Sequence, residues 1–260
     1  LSFIYSFLDW ASFSLSDNEE AQNYIYGRGV SEEQCKRHRL GYIPDCFEID
    51  VTKDPNHNRE ICRDNSKDYL RCDSCRFIRW SSSYVGEGDS RTYKIGHRIV
   101  GHIVLPLTDY TGSCIGFQVR SLSGKDYDTF AVSCRPFGYF FGTASSVHSI
   151  WAKKSVILTE GAFDHLVLER LIAPNVLALT TSTIGRAQAK FLHRFVDIVY
   201  WCADLDDAGR KGLKSLVHFH GSEIDIRDVK YPKIGKDPGK IWQKVGDDKF
   251  RSIFAELISV

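Results

Sequence analysis

The sequence predicts an α/β protein in two parts, an α+β first half and a second half built on a mostly parallel sheet flanked by helices. Two observations carry that prediction. Beyond residue 150, short apolar runs alternate with segments of helical length, and such alternation builds a parallel sheet covered on both faces. Before residue 150, helical segments give way to apolar runs separated by turns, as consecutive strands are. The expected parts are therefore 1–150 and 151–260.

Each element has its own signal. "SDNEEAQNYIY" (Ser16–Tyr26) reads as a helix with Ser16 as N-cap, Glu19 at the capping-box position, and Gly27 and Gly29 as stops. Ser31 opens a second short helix, "SEEQCKRHRL", which Gly41 closes. From about Pro44 to Gly96 the chain is polar, irregular and cysteine-bearing, with the insert proper placed at about 46–93. "RIVGHIVLPLTD", "GSCIGFQVRSL" and "DYDTFAVSC" read as strands, and "DYTG" (Asp109–Gly112) as a hairpin turn. In the second part "SVILT", "VLALT", "DIVYWC" and "SEIDIRDV" are strands; "AFDHLVLERLI", "GRAQAKFLHRF" and "AGRKGLKSLVHFH" are the helices between them.

Bulk properties narrow the class. At 260 residues, 43% hydrophobic and 26% charged, the composition is that of a soluble globular protein with ample chain for a core. No apolar run approaches the roughly 20 residues of a membrane span. The opening "LSFIYSFLDW" lacks a basic leader and a cleavage site, so it is not read as a signal peptide. Met is absent throughout, which suggests a processed chain or an excised fragment. Eight cysteines without a signal peptide favour free thiols in a reducing, cytoplasmic setting. A net charge of +1 excludes a global positive field, so nucleic-acid binding would come from local patches such as "CKRHR" or "CRFIRW".

Chemistry concentrates where strands end. Ligands of open parallel sheets bind outside the carboxyl ends of the strands. "SVILT" is followed there by Glu160-Gly161, and "DIVYWC" by "ADLDDAG". Asp204 and Asp206 are two apart, so in extended backbone they point the same way. Paired carboxylates repel unless a cation lies between them or one takes a proton, and Mg²⁺ is the natural partner. The alternative is that Asp206 or Asp207 only caps the following helix. Glu160, which folding does not require, favours the metal reading for Asp204 and Asp206 and leaves Asp207 as a helix-start residue.

"VILTEGAFD", "VYWCADLDDAGRKG" and "GKDPGKIW" occur in the order of the three signature stretches of a Toprim domain, which they resemble. "AQNYIYGRGVSEEQCKRHRLGYIP", "IVLPLTDYTGSCIGFQVRSL" and "FGYFFG" resemble the segments that precede that domain in DnaG-type primases of bacteria and bacteriophages. The resemblance covers most of the chain except about Cys46 to Tyr93. It implies a primase catalytic core, with a Rossmann-like Toprim sheet over 151–260 and the start of a C-terminal helical segment, and without the upstream zinc module or most of a helicase-binding region.

By position, the resemblance assigns Glu160, Asp204 and Asp206 as catalytic and metal-binding, Asp237 as a further Mg²⁺ or Mn²⁺ ligand, and Asp164 as the acid one helical turn after Glu160. Gly239 stands where many relatives have another acid. Arg120 matches the arginine near the active site, Lys125 is the nearest candidate for an accompanying lysine, and Arg28 lies in "GRG". Arg28 contacts template or nucleotide, or else forms a helix-terminal salt bridge. Asp164 reaches the site, or only favours its helix N-terminus. Trp80 with Arg76 and Arg79 stacks bases, or forms an ordinary half-exposed strand. Cys72 and Cys75 form half of a zinc site, with Cys62, Cys46 or His57 to complete it; otherwise they are free thiols.

The implied activity is RNA primer synthesis from NTPs on single-stranded DNA, with a replicative helicase as partner and no membrane. Glu160 is a general base or a metal ligand alone. The rival readings are a Toprim nuclease and a degenerate module that only grips DNA or a helicase.

Overall fold

The computed structural model describes residues 3–45, 47–50, 58, 72–80, 92–94, 98–124, 127–131, 140–180 and 184–258. The chain forms two compact units. One comprises Leu1–Tyr24, Cys35–Pro106 and Cys114–Arg135; the other comprises Ile25–Gln34, Leu107–Ser113 and Pro136–Val260. No helix among the described residues is long and apolar enough to cross a membrane.

The first unit is organised by an aromatic core. Helix α1 (Phe3–Ser16) buries Phe3, Ile4, Phe7, Leu8, Ala11 and Leu15, a stripe of helical period. The apolar opening of the chain, for which no element was predicted, is thus a core helix. Helix α2 spans Glu19–Tyr26 and α3 spans Glu32–Arg37. Strand β1 (Gly41–Ile43) is followed by β2 (Glu48–Asp50), helix α4 (Asp73–Trp80) and β3 (Thr92–Lys94). Then come β4 (His102–Thr108), β5 (Cys114–Ser121) and β6 (Tyr127–Ala131). One sheet has the order β1-β4-β5-β6, and β2 pairs with β3 in a ribbon. The ring of Phe7 lies 4.9 Å from Phe77 and 5.2 Å from Phe117, and Phe77 lies 5.1 Å from Phe130.

Several local expectations change here. Ser16 ends α1, its hydroxyl donating to the Phe13 carbonyl, and Asn18 is the residue whose side chain accepts the Ala21 amide at 2.8 Å. Both positions carry capping side chains, and the cap falls two residues later than the capping-box spacing suggests. Ser31 does cap its helix, since its hydroxyl accepts the Gln34 amide while Gln34 accepts the Ser31 amide. Gly41 lies in β1 rather than closing α3. Residues 73–80 are helical, and Trp80 packs 5.4 Å from Phe130 and 5.7 Å from Phe117 as part of the core. The Asp109 turn is as expected. Its carboxylate accepts the Thr111 and Ser113 amides, and Gly112 adopts φ 84°.

The second unit is layered around the parallel sheet β10-β9-β7-β8. Helix α5 (Thr143–Lys153) precedes β7 (Ser155–Thr159), followed by α6 (Ala162–Leu171) and β8 (Val176–Ala178). Next are α7 (Arg186–Phe195), β9 (Ile198–Trp201), α8 (Asp207–His220), β10 (Asp225–Asp228) and α9 (Pro238–Leu257). Alternate residues of each strand face opposite layers. Ile157 and Tyr200 join the core with Val167, Leu168, Ile241, Phe250 and Phe254 of α6 and α9. Val156, Leu158, Val199 and Trp201 join Ile150, Leu192 and Leu216 of α5, α7 and α8. Both faces are covered, which is why the centre of β7, residues 156–158, and all of β9 read as apolar runs.

One polar node ties the first of these layers to the Gly27–Gly29 loop. Arg170, in the last turn of α6, donates to the Gly29 carbonyl at 2.9 Å and to both carboxylate oxygens of Asp247 at 2.8 and 2.9 Å. Trp242 adds an indole bond to Asp247 at 2.7 Å. Asp247 follows Gly246, whose φ of 74° breaks α9 into two segments. Gly29, at φ 84°, leaves no room for a Cβ, which would lie 2.9 Å from Trp242 and Val167.

Two outcomes are expected. Gly41→Ala puts a Cβ 2.7 Å from that of Ala11; urea unfolding should show a loss of about 1–3 kcal/mol. The Asp247 carboxyl is held below its usual range by Arg170 and Trp242. Its contribution is therefore present above the unfolded carboxylate pKa of about 4 and is lost as pH falls through the lower folded value. Asp247→Asn should be less stable than the parent at pH 7 by about 0.5–1 kcal/mol, a small figure because Asp247 is 43% exposed. Below pH 3 the two proteins should unfold at more nearly the same urea concentration.

Candidate metal centre

The site forms where β7 and β9 leave the sheet side by side. Leu158 pairs with Trp201, and the Cys202 amide donates to the Leu158 carbonyl at 2.8 Å. The next residues out are Glu160 on one strand and Asp204 on the other. They meet: the Asp204 amide donates to Glu160 Oε1 at 3.3 Å. Tyr231 anchors the outgoing β9 loop from beneath, its buried hydroxyl donating to the Ala203 carbonyl.

Asp206 plays the part that sequence reading set against metal binding. It is the N-cap of α8, and its Oδ1 accepts the Ala208 and Gly209 amides at 3.0 and 3.1 Å. Asp207 is the first helical residue. The two readings do not compete, since both cap bonds fall on Oδ1 and neither uses Oδ2. Gly209 is required by close approach. A Cβ there would lie 2.1 Å from the Asp204 carbonyl oxygen and 2.9 Å from Glu160 Oε1.

A third acidic loop enters from β10. Asp237 caps α9, accepting the Lys240 amide at 2.6 Å, with Pro238 following in the first turn. The Leu205 amide donates to the Lys236 carbonyl at 2.7 Å, which staples this loop to the Asp204 loop. The Lys236 ammonium bonds Asp204 Oδ2 and lies 3.5 Å from Asp237 Oδ2. Asp164, in the first turn of α6, accepts the Gly239 amide at 2.8 Å. A Cβ at Gly239 would come within 3.1 Å of that same carboxylate oxygen. A larger residue at 239 would crowd the oxygen that Gly239 now binds.

The electrostatics follow from this crowding. Burial first, then Asp204 and Asp206, push the Glu160 carboxyl up to about 7. Burial and Asp237 push Asp164 well above the usual carboxylate range, against the pull of the Gly239 amide. Asp204 is raised by burial and held back by Lys236, whose own pKa its bond to Asp204 raises further. An all-oxygen set that already draws an ammonium into its midst has the chemistry of a site for a hard divalent cation. Glu160, Asp204, Asp206 and Asp237 carry the oxygen donors that such an ion takes.

The other expected site residues are placed as follows. Arg28 sits with its guanidinium 5.0 Å from the centre of the Phe163 ring, on the helix that carries Asp164. Arg120 is almost fully buried in β5, donates to the Tyr24 hydroxyl at 3.2 Å, and lies 4.3 Å over the Tyr127 ring. Cys72 is a buried thiol 3.3 Å from the Ser74 hydroxyl, and Cys75 packs beside the aromatic core. Lys125 and Cys62 lie outside the described residues, as do Cys46 and His57. Lys236 and Tyr231 were missed. A lysine adjoining Asp237 in "GKDPG" was the available signal for the first; nothing in the sequence marks the second.

With the geometry in hand, comparison with known proteins becomes specific. Residues 157–241 match the family model described as Toprim-like. These residues form a Toprim-like domain. The chain as a whole is similar to the DNA primase of Thermotoga maritima, 26% identical over 250 residues, covering 92% of this chain and 40% of that protein. It is also similar to the solved Aquifex aeolicus primase, a structure of the zinc-binding and RNA polymerase domains, with a TM-score of 0.71 and 25% identity. That match covers 96% of this chain and 58% of that one. A DnaG primase catalytic domain solved with single-stranded DNA shares the fold at a TM-score of 0.66 and 19% identity, covering 97% of this chain and 79% of that one. The chain thus has the fold of the DnaG-type primase catalytic core. It spans about 40% of the length of the curated relatives it matches.

The double role of Asp206 can be separated. Asp206→Ala should lose about 1 kcal/mol of stability in thermal unfolding through the lost cap, whereas Asp206→Asn, another good cap, should lose only a few tenths. Both should weaken Mn²⁺ binding in calorimetry, because both remove the charge.

Proposed function

We propose that this chain is the RNA-polymerizing core of a DNA primase, joining NTPs on a single-stranded DNA template in a reaction that depends on Mg²⁺ or Mn²⁺. The observation that carries the reading is the meeting of Glu160 with the Asp204 loop at the carboxyl edge of a Toprim-like sheet. Similarity to DNA primases along most of the chain supports extending it from the site to the reaction. The partners that follow are template DNA, NTPs, the RNA primer and a replicative helicase, and the setting is cytoplasmic.

The chemistry is a displacement at phosphorus. A 3′-hydroxyl oxygen bonds the α-phosphorus of the incoming NTP, the bond to the bridging oxygen breaks, and pyrophosphate leaves with that electron pair. The hydroxyl proton passes to solvent or to Glu160, whose carboxyl burial and the neighbouring acids push up to about 7. A bound divalent cation supplies neutralisation of the phosphoryl oxygens and eases loss of that proton. Glu160, Asp204 and Asp206 would hold it, and Asp237 would complete the acidic wall. Asp164 positions the third loop through the Gly239 amide. Arg120 and Lys125 are assigned to triphosphate or template phosphates, and Arg28 to the template or nucleotide side of α6. Pre-set donors and charges of this kind act by stabilising charge where it develops.

The test is de novo dinucleotide synthesis on single-stranded DNA with labelled NTPs. Glu160→Gln, Asp204→Ala and Asp206→Ala should each lower the rate by about 100-fold or more. Full activity in Asp204→Ala would sink the assignment. Metal-dependent loss of labelled DNA without NTPs would instead indicate a Toprim nuclease.

A further inference from the structure

Among the described ion pairs, Lys236 is the cation that joins Asp204 and Asp237, and its position is set by the backbone. The Leu205 amide holds the Lys236 carbonyl at 2.7 Å, so the side chain starts directly beside the Asp204 loop. Its ammonium bonds Asp204 Oδ2 and lies 3.5 Å from Asp237 Oδ2. The lysine side chain is 59% exposed while that of Asp204 is 18% exposed, so the ammonium reaches inward from the rim. A hard cation seeking Asp204 would find one of its two oxygens occupied by a tethered rival.

We infer that Lys236 is a built-in counter-ion of the acidic edge, competing with the divalent cation for Asp204 and yielding Oδ2 when that cation binds. The inference rests on the divalent-cation reading of the site. Two consequences follow. Without divalent ions, Lys236 relieves the repulsion among Glu160, Asp204 and Asp237, so the loops keep their arrangement. With a divalent ion, the ammonium must leave Asp204, and its long exposed stem lets it turn toward the rim, where anionic phosphates of a nucleotide would arrive. Lys236 is in this sense a positioning residue, acting through Asp204 on the threshold for metal entry.

The experiment is Mn²⁺ titration, followed by calorimetry and by the electron paramagnetic resonance of free Mn²⁺. It uses the full chain and its Lys236→Met, Lys236→Arg and Lys233→Met variants. Lys233 is exposed and three residues away, so it controls for loss of one charge from the same loop. Lys236→Met should bind Mn²⁺ about five- to tenfold more tightly than the parent, with the gain surviving in 0.5 M salt because the displaced contact is short-range. Lys236→Arg should stay near the parent, and Lys233→Met should change by about twofold at most. In EDTA, Lys236→Met should melt at a lower temperature than the parent, and saturating Mn²⁺ should close that gap. Equal or weaker Mn²⁺ binding by Lys236→Met, or an equal gain in Lys233→Met, overturns the inference while leaving the metal site standing. Absence of Mn²⁺ binding by parent and variants alike overturns both.

Discussion

Mutual repulsion of carboxylates at the edge of the parallel sheet is the constraint around which the second unit is arranged. Glu160, Asp164, Asp204, Asp206 and Asp237 arrive there on three segments that follow β7, β9 and β10, and like charges at short range push one another toward protonation. The backbone answers with donors. Asp206 and Asp237 are each spent in part on a helix N-terminus, where amides lack partners and the helix field favours anions. Asp164 takes the Gly239 amide and Glu160 takes the Asp204 amide. Each bond that holds an acid in place is therefore also a bond that shapes a loop, and the folding devices and the chemical devices are the same atoms.

That economy explains why the glycines of the site are where they are. Gly209 lets the first turn of α8 pass against the Asp204 carbonyl and Glu160, and Gly239 offers an amide to Asp164 with no side chain to push it away. The departure from an acid at 239 is consistent with a working site, because the position serves Asp164 rather than standing empty. The supporting layer is braced by Arg170, which joins α6, the Gly29 carbonyl and Asp247. The helix that carries Asp164 is thereby fixed in its last turn, as the Gly239 amide fixes its first.

Much of this was legible in sequence because it is local. The strands β7 and β9 have apolar centres, residues 156–158 and Ile198–Trp201, since both faces of a parallel sheet are covered, and the first acids follow within three residues of each strand's end. The Asp109 turn and the Ser31 cap are written in short-range side-chain chemistry. What was not legible depends on packing. The opening helix α1 offered an apolar run without a clear start, and residues 73–80 mix charge with aromatics in a way that fits a strand as well as a helix. Only the cluster of Phe7, Phe77, Phe117 and Phe130 shows which face of each is inside.

The sequence by itself determined the class of the fold, the order of the strands and helices in the second unit, and the identity of the acids at the strand ends. These follow from hydrophobic periodicity and from which residues adjoin the strands. The tertiary structure decided what the acids do to one another. Whether Asp206 caps a helix or faces a cation depends on which carboxylate oxygen points where, and the answer is one oxygen for the cap. That Lys236 neutralises Asp204, 32 residues away along the chain, depends on a backbone bond between two loops that no pattern in either loop announces.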